Sequence, residues 1–113
     1  MSERHEIGQE ARRLRELLGN GLTAFREQSV LVAEAERDYR KAKAAAWAHR
    51  AGEGLAGERA ANVDADTADL RYVRDVADAL AKSARLAVQV RLSELDFLRS
   101  EFAALREDMR LAE

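Results

Sequence analysis

The sequence predicts an all-α protein, a long antiparallel helical hairpin of coiled-coil type that dimerises into a four-helix bundle. Three observations carry that fold class. Apolar residues recur alternately four and three apart through both halves of the chain. Three of the six glycines fall within Ala51-Gly52-Glu53-Gly54-Leu55-Ala56-Gly57, near the middle. Neither half contains a proline to break a helix. All 113 residues form a single domain in this reading: a first arm over about 2–51, a bend at 52–57 and a second arm over about 58–111.

In the first arm the seam reads Leu14, Leu18, Gly21, Phe25, Gln28, Val32, Ala35, Tyr39, Ala42, Ala46 and His49. A 3.5-residue repeat held over five heptads places these side chains along one helical stripe. Charged residues lie off the stripe, and Glu36 stands four residues before Arg40, a spacing that supports a helix by a few tenths of a kcal/mol. Gly19-Asn20-Gly21 is the weak point, because each glycine costs a helix about 1 kcal/mol relative to alanine. The triplet could end a short first helix at Leu18, with Gly19 as its cap. Continuity is favoured, since the seam keeps its register across the triplet.

The second arm has the seam Val63, Thr67, Leu70, Arg74, Ala77, Ala81, Ala84, Val88, Arg91, Leu95, Leu98, Phe102, Leu105 and Met109. Acids Glu58, Asp64, Asp66 and Asp69 come early and Arg106 and Arg110 late, as the helix dipole favours. One long helix is the expectation. Folding the arms about the bend pairs residues whose numbers sum to about 109. Phe25 then faces Ala84 and Gly21 faces Val88, large side chains tending to meet small ones, while at the open end leucine meets leucine as Leu14 faces Leu95. Arg74 and Arg91 fall on the seam; Arg74 is expected to reach Glu34, Glu36 or Asp78, setting register rather than adding stability.

The apolar face of the second arm, widened by Val73, Val76, Leu80, Val90, Leu92 and Phe97, exceeds what one partner helix covers. Self-association is the simplest remedy, and the sequence predicts a homodimer. The expected partner or dimer interface lies at the open end of the hairpin, at Leu95, Leu98, Phe102, Leu105 and Met109 with Leu14 and Leu18 opposite. Two roles compete for these residues, a dimer core and a docking site for another protein.

Chemistry is sparse. There is no cysteine, and His5 and His49 have no partner at ligand spacing. Asp64-Ala65-Asp66-Thr67-Ala68-Asp69 has the acids of a calcium loop without its glycine or closing glutamate. Neither a nucleophile–base constellation nor a phosphate-binding glycine pattern is present, so neither enzyme activity nor a cofactor or metal is expected. No apolar run reaches the length of a membrane span, no signal-peptide core follows the N-terminus, and a cytoplasmic location is expected. Net charge is −2, and acids interleave the basic clusters Arg12-Arg13-Arg15 and Arg37-Arg40-Lys41-Lys43. Nucleic acid is therefore a weakly supported partner beside a second copy or another protein.

The block Asp38-Tyr39-Arg40-Lys41-Ala42-Lys43-Ala44 resembles a family of small helical bacteriophage proteins. Residues 54–59, Asp64 to Thr67 and the tail Leu95-Asp96-Phe97-Leu98-Arg99-Ser100 extend the likeness over most of the chain. The pattern is similar to D-Y-x-x-A-K-A followed by a G-[S/T]-V-x-E-R bend. Leu55 departs from it where the family has a serine or threonine cap, while Glu58 and Arg59 are kept. A capping box is thus in doubt, with Gly54 or Gly57 expected as the weaker cap. The resemblance implies a non-enzymatic accessory to phage DNA metabolism or host takeover inside the host cell, with no catalytic residues to carry over. It leaves open two alternatives, a recombination accessory that binds nucleic acid directly and a virion assembly or scaffolding protein.

Overall fold

The computed structural model describes residues 2–112, which form three helices and no strand. Helix α1 spans Ser2–His49, α2 Ala56–Asp66 and α3 Ala68–Ala112, and α1 packs against α3. The chain divides into two compact units. A terminal unit contains α1 as far as Phe25 and α3 from Ser83 onward; a bend unit runs from Arg26 to Lys82.

Helix α1 passes through Gly19-Asn20-Gly21 without a break. Within the triplet's reach, the Thr23 hydroxyl donates to the Gly19 carbonyl at 3.1 Å. In the terminal unit Leu14, Val88 and Leu95 are buried, and Leu18, Gly21, Phe25, Ala84, Leu98, Phe102 and Leu105 are half-buried. The antiparallel register there is fixed by Gly21 against Val88 and by Arg4 over the ring of Phe102.

In the bend unit Ala35, Tyr39, Val63, Thr67 and Ala77 are buried. Arg74 lies with its guanidinium 4.4 Å from the centre of the Tyr39 ring and 3.7 Å from Glu36, while bonding Asp75 at 3.0 Å. Glu36 is thus the cross-helix partner, one of the three expected. His49 is exposed although its spacing puts it on the seam, because α1 ends there and the chain turns away.

The second arm is two helices rather than the single one expected. Thr67 leaves helical geometry at φ −108° and ψ 7° between α2 and α3. Its hydroxyl, buried at a seam position, donates to the Val63 carbonyl at 2.8 Å, a bond that accompanies the distortion. Such back-bonding to the carbonyl four residues earlier distorts a helix. The backbone ladder survives the distortion, since Thr67 N–H still reaches Val63 and Arg71 N–H reaches Thr67.

The bend is closed by arginines. Arg50 donates through Nε and Nη2 to both oxygens of Asp66, at 2.6 and 2.9 Å, and through Nη1 to Glu53. Arg59 donates to the Trp47 carbonyl at 2.7 Å, satisfying one acceptor left open at the end of α1, and stacks 4.8 Å from the Trp47 ring centre. Gly52 and Gly54 take positive φ (85° and 39°), the conformation a side chain disfavours. The cap of α2 is neither Gly54 nor Gly57 but Leu55, in extended geometry and with no side-chain hydrogen bond. An apolar side chain has no acceptor to offer the first turn, so the capping box is not made.

Candidate interaction surfaces

Two grooves with charged rims lie on opposite sides of the helix pair in the terminal unit. Positions just after the seam form the first, a groove of about 570 Å³ with Ile7, Leu95, Leu98 and Phe102 as its floor. Its rim is Arg12, Arg15, Arg99 and Arg106, with no acid among the lining residues. Small residues on both helices, Gly8, Ala11 and Ala103, make the space. A β-carbon on Gly8 would touch nothing within 4 Å. Arg4 and Arg106 lie over the Phe102 ring at 5.4 and 5.7 Å, so the aromatic floor holds cations above it. Arg99 is shared with Asp96 at 3.5 Å, whereas Arg12 and Arg15 form no ion pair with any described residue.

Positions just before the seam form the second groove. Ile7, Leu98, Ala104 and Leu105 floor it, and Glu3, Glu6, Glu10, Glu101 and Asp108 surround it, with no lysine or arginine in the lining. Arg13 stands at its edge and binds Glu10 through both guanidinium arms, one of them at 3.0 Å. That bond holds the Glu10 carboxyl below the usual carboxylate range and raises the Arg13 guanidinium. The linings of the two grooves are therefore sorted by charge, arginine in one and carboxylate in the other.

The bend unit carries a third surface of a different kind. Leu31 of α1 and Tyr72, Val73, Val76 and Leu80 of α3 line a shallow apolar trough over Ala35 and Ala77. Four of the five are about half or more exposed: Leu31 48%, Tyr72 70%, Val73 52% and Leu80 51%. Glu34 and Asp38 edge it.

The open-end residues singled out in the sequence fall within the terminal unit as follows. Leu14 and Leu95 are sealed between its helices; Leu18, Leu98, Phe102 and Leu105 are half-buried there, and Met109 is exposed. Leu95, Leu98 and Phe102 reach the arginine-rimmed groove, and Leu98 and Leu105 the acidic one. Sequence reasoning missed the sorting of charge, which the offsets before and after the seam encode. His5 and His49 are exposed, and no group of three or more metal-ligating side chains converges among the described residues. None of the helices is long and apolar enough to cross a membrane.

Compared with family models, curated proteins and solved structures, the chain matches none.

Proposed function

We propose that the chain is a non-enzymatic protein–protein interaction module that works as a homodimer, a four-helix bundle formed by pairing the apolar trough of the bend unit with the same trough of a second copy. The observation that carries this reading is the exposed trough of the bend unit, where Leu31, Tyr72, Val73 and Leu80 are 48–70% exposed on one apolar face, the kind of patch that marks an interaction surface. The half-exposed Leu31, Val73 and Leu80 supply the apolar centre such an interface needs. The resemblance to small helical phage proteins supports a setting in phage DNA metabolism or host takeover, with a phage or host protein as the further partner.

Sedimentation equilibrium tests the dimer. The wild-type chain is expected at twice its monomer mass at micromolar concentration. Val76→Glu with Leu80→Glu is expected to give a helical monomer. A monomeric wild type, or a double variant that stays dimeric, overturns the reading.

A second reading, direct nucleic-acid binding, is favoured by the groove rimmed by Arg12, Arg15, Arg99 and Arg106. It requires affinity for DNA that falls steeply with added salt. A gel-shift titration in low salt with no retarded species removes it.

A further inference from the structure

We infer that the terminal unit is a self-complementary joint, in which the arginine-rimmed groove of one copy receives the acid-rimmed groove of another. Both halves of the complementarity belong to this chain. Arg12, Arg15, Arg99 and Arg106 surround one groove with no acid in its lining, and Glu3, Glu6, Glu10, Glu101 and Asp108 surround the other with no cation in its lining, Arg13 at its edge being paired to Glu10. Each groove has an apolar floor, Phe102 with Leu98 in the first and Leu105 with Leu98 in the second. Oppositely charged rims around apolar floors give attraction, orientation and contact area together. Like grooves repel, so acid on acid and arginine on arginine are disfavoured.

The arginine side also has the room and the free charge. Gly8, Ala11 and Ala103 leave its groove open, and Arg12 and Arg15 have no internal partner among the described residues. Nucleic acid is the less favoured occupant. Arg4 and Arg106 both lie over the Phe102 ring, so a base would have to displace a cation to stack there.

The joint has a consequence for assembly. The two grooves lie on opposite sides of one helix pair, so a copy that docks through its acids keeps its arginines available. Contact is therefore heterologous, and repeats into a closed ring or an open array. It is independent of the trough proposed for the dimer, which belongs to the other unit.

Charge reversal in two complementary variants tests it. Arg12→Glu with Arg15→Glu cancels the charge of the arginine rim, since Arg99 and Arg106 remain against two glutamates, and Glu6→Arg with Glu101→Arg nearly cancels that of the acid rim while sparing the Arg13–Glu10 pair. Circular dichroism checks that each remains helical. In sedimentation velocity at about 0.02 M ionic strength, the wild type is expected to grow beyond the dimer as concentration rises, and to stop growing at about 0.5 M, where charge is screened within a few ångströms. Each variant alone is expected to lose this growth, with association weakened about tenfold or more. An equimolar mixture of the two is expected to recover it.

A mixture that stays unassociated, a variant that grows as the wild type does, or growth indifferent to salt overturns the joint. So does single-stranded DNA bound by the wild type and lost in the Arg12, Arg15 variant without recovery of assembly on mixing, which assigns the groove to nucleic acid. If the trough is not a dimer face, the variants sediment as monomers, and recovery on mixing still supports the joint.

Discussion

A β-carbon on Gly21 would lie 3.3 Å from Cγ2 of Val88, so the facing helix packs tightly against a residue without a side chain. Gly19, two residues earlier in the same helix, has open space at the same position. The two glycines therefore answer differently to the same substitution. Gly19→Ala should stabilise the protein by about 1 kcal/mol through helix propensity alone. Gly21→Ala should gain less, because Val88 must yield by a few tenths of an ångström, and Gly21→Leu should destabilise by about 1–3 kcal/mol through overpacking. Urea denaturation of the three variants checks the order.

Leu14 is 1% exposed and shares its layer with the buried Leu95. Leu14→Ala should cost about 2–5 kcal/mol, the range for a buried leucine cut to alanine. Met109→Ala, at a position 46% exposed, should cost far less. Chemical denaturation of the two variants separates a core role from a surface one at the open end.

Arg59 combines a charged hydrogen bond to the Trp47 carbonyl with stacking on the ring. Arg59→Ala should cost about 1–3 kcal/mol and leave the end of α1 without that donor. Arg59→Lys keeps the charge but not the planar fork, and should recover only part of the loss. Trp47 is the sole tryptophan, so its fluorescence should shift in both variants and report the site directly.

The bond from Arg50 holds the Asp66 carboxyl below the usual carboxylate range. An unfolded aspartate titrates near pH 4, so between that value and the lower folded one the unfolded chain binds more protons. The contribution is present above about pH 4 and is lost as pH falls through the folded value. Asp66→Asn should flatten this part of the acid limb, and added salt should shrink the difference between variant and wild type. Thermal unfolding midpoints from neutral pH down to about pH 2 decide it.

Much of the fold was legible because a repeating apolar seam has one simple physical solution. The pairing of Gly21 with Val88 followed from counting outward from the bend, and continuity of α1 followed from a register kept across Gly19-Asn20-Gly21. Thr67 was not legible as a break, because spacing marks it as a seam residue and says nothing of where its hydroxyl goes. Once buried, that hydroxyl turns to the Val63 carbonyl. The two grooves were hidden by reading charge along the chain. Arg12, Arg13 and Arg15 are neighbours in sequence, yet Arg13 turns to Glu10 while the other two rim the opposite groove. One residue of offset from the seam carries a side chain to the other side of a helix pair.

The contacts of the two units differ in the length of chain they close. Arg50 meets Asp66 sixteen residues away and Arg59 meets Trp47 across twelve, whereas Arg4 and Phe102 come from opposite ends of the sequence. Closing a short loop loses less entropy than closing a long one, and local contacts form faster. The contacts of the bend are therefore expected to form before that of Arg4 and Phe102, an order that the folding rates of Arg59→Ala and Leu14→Ala check. Both grooves of the proposed joint are built from those later turns. On that order a half-folded chain would lack the surfaces of the proposed joint, and assembly would wait on the completion of folding.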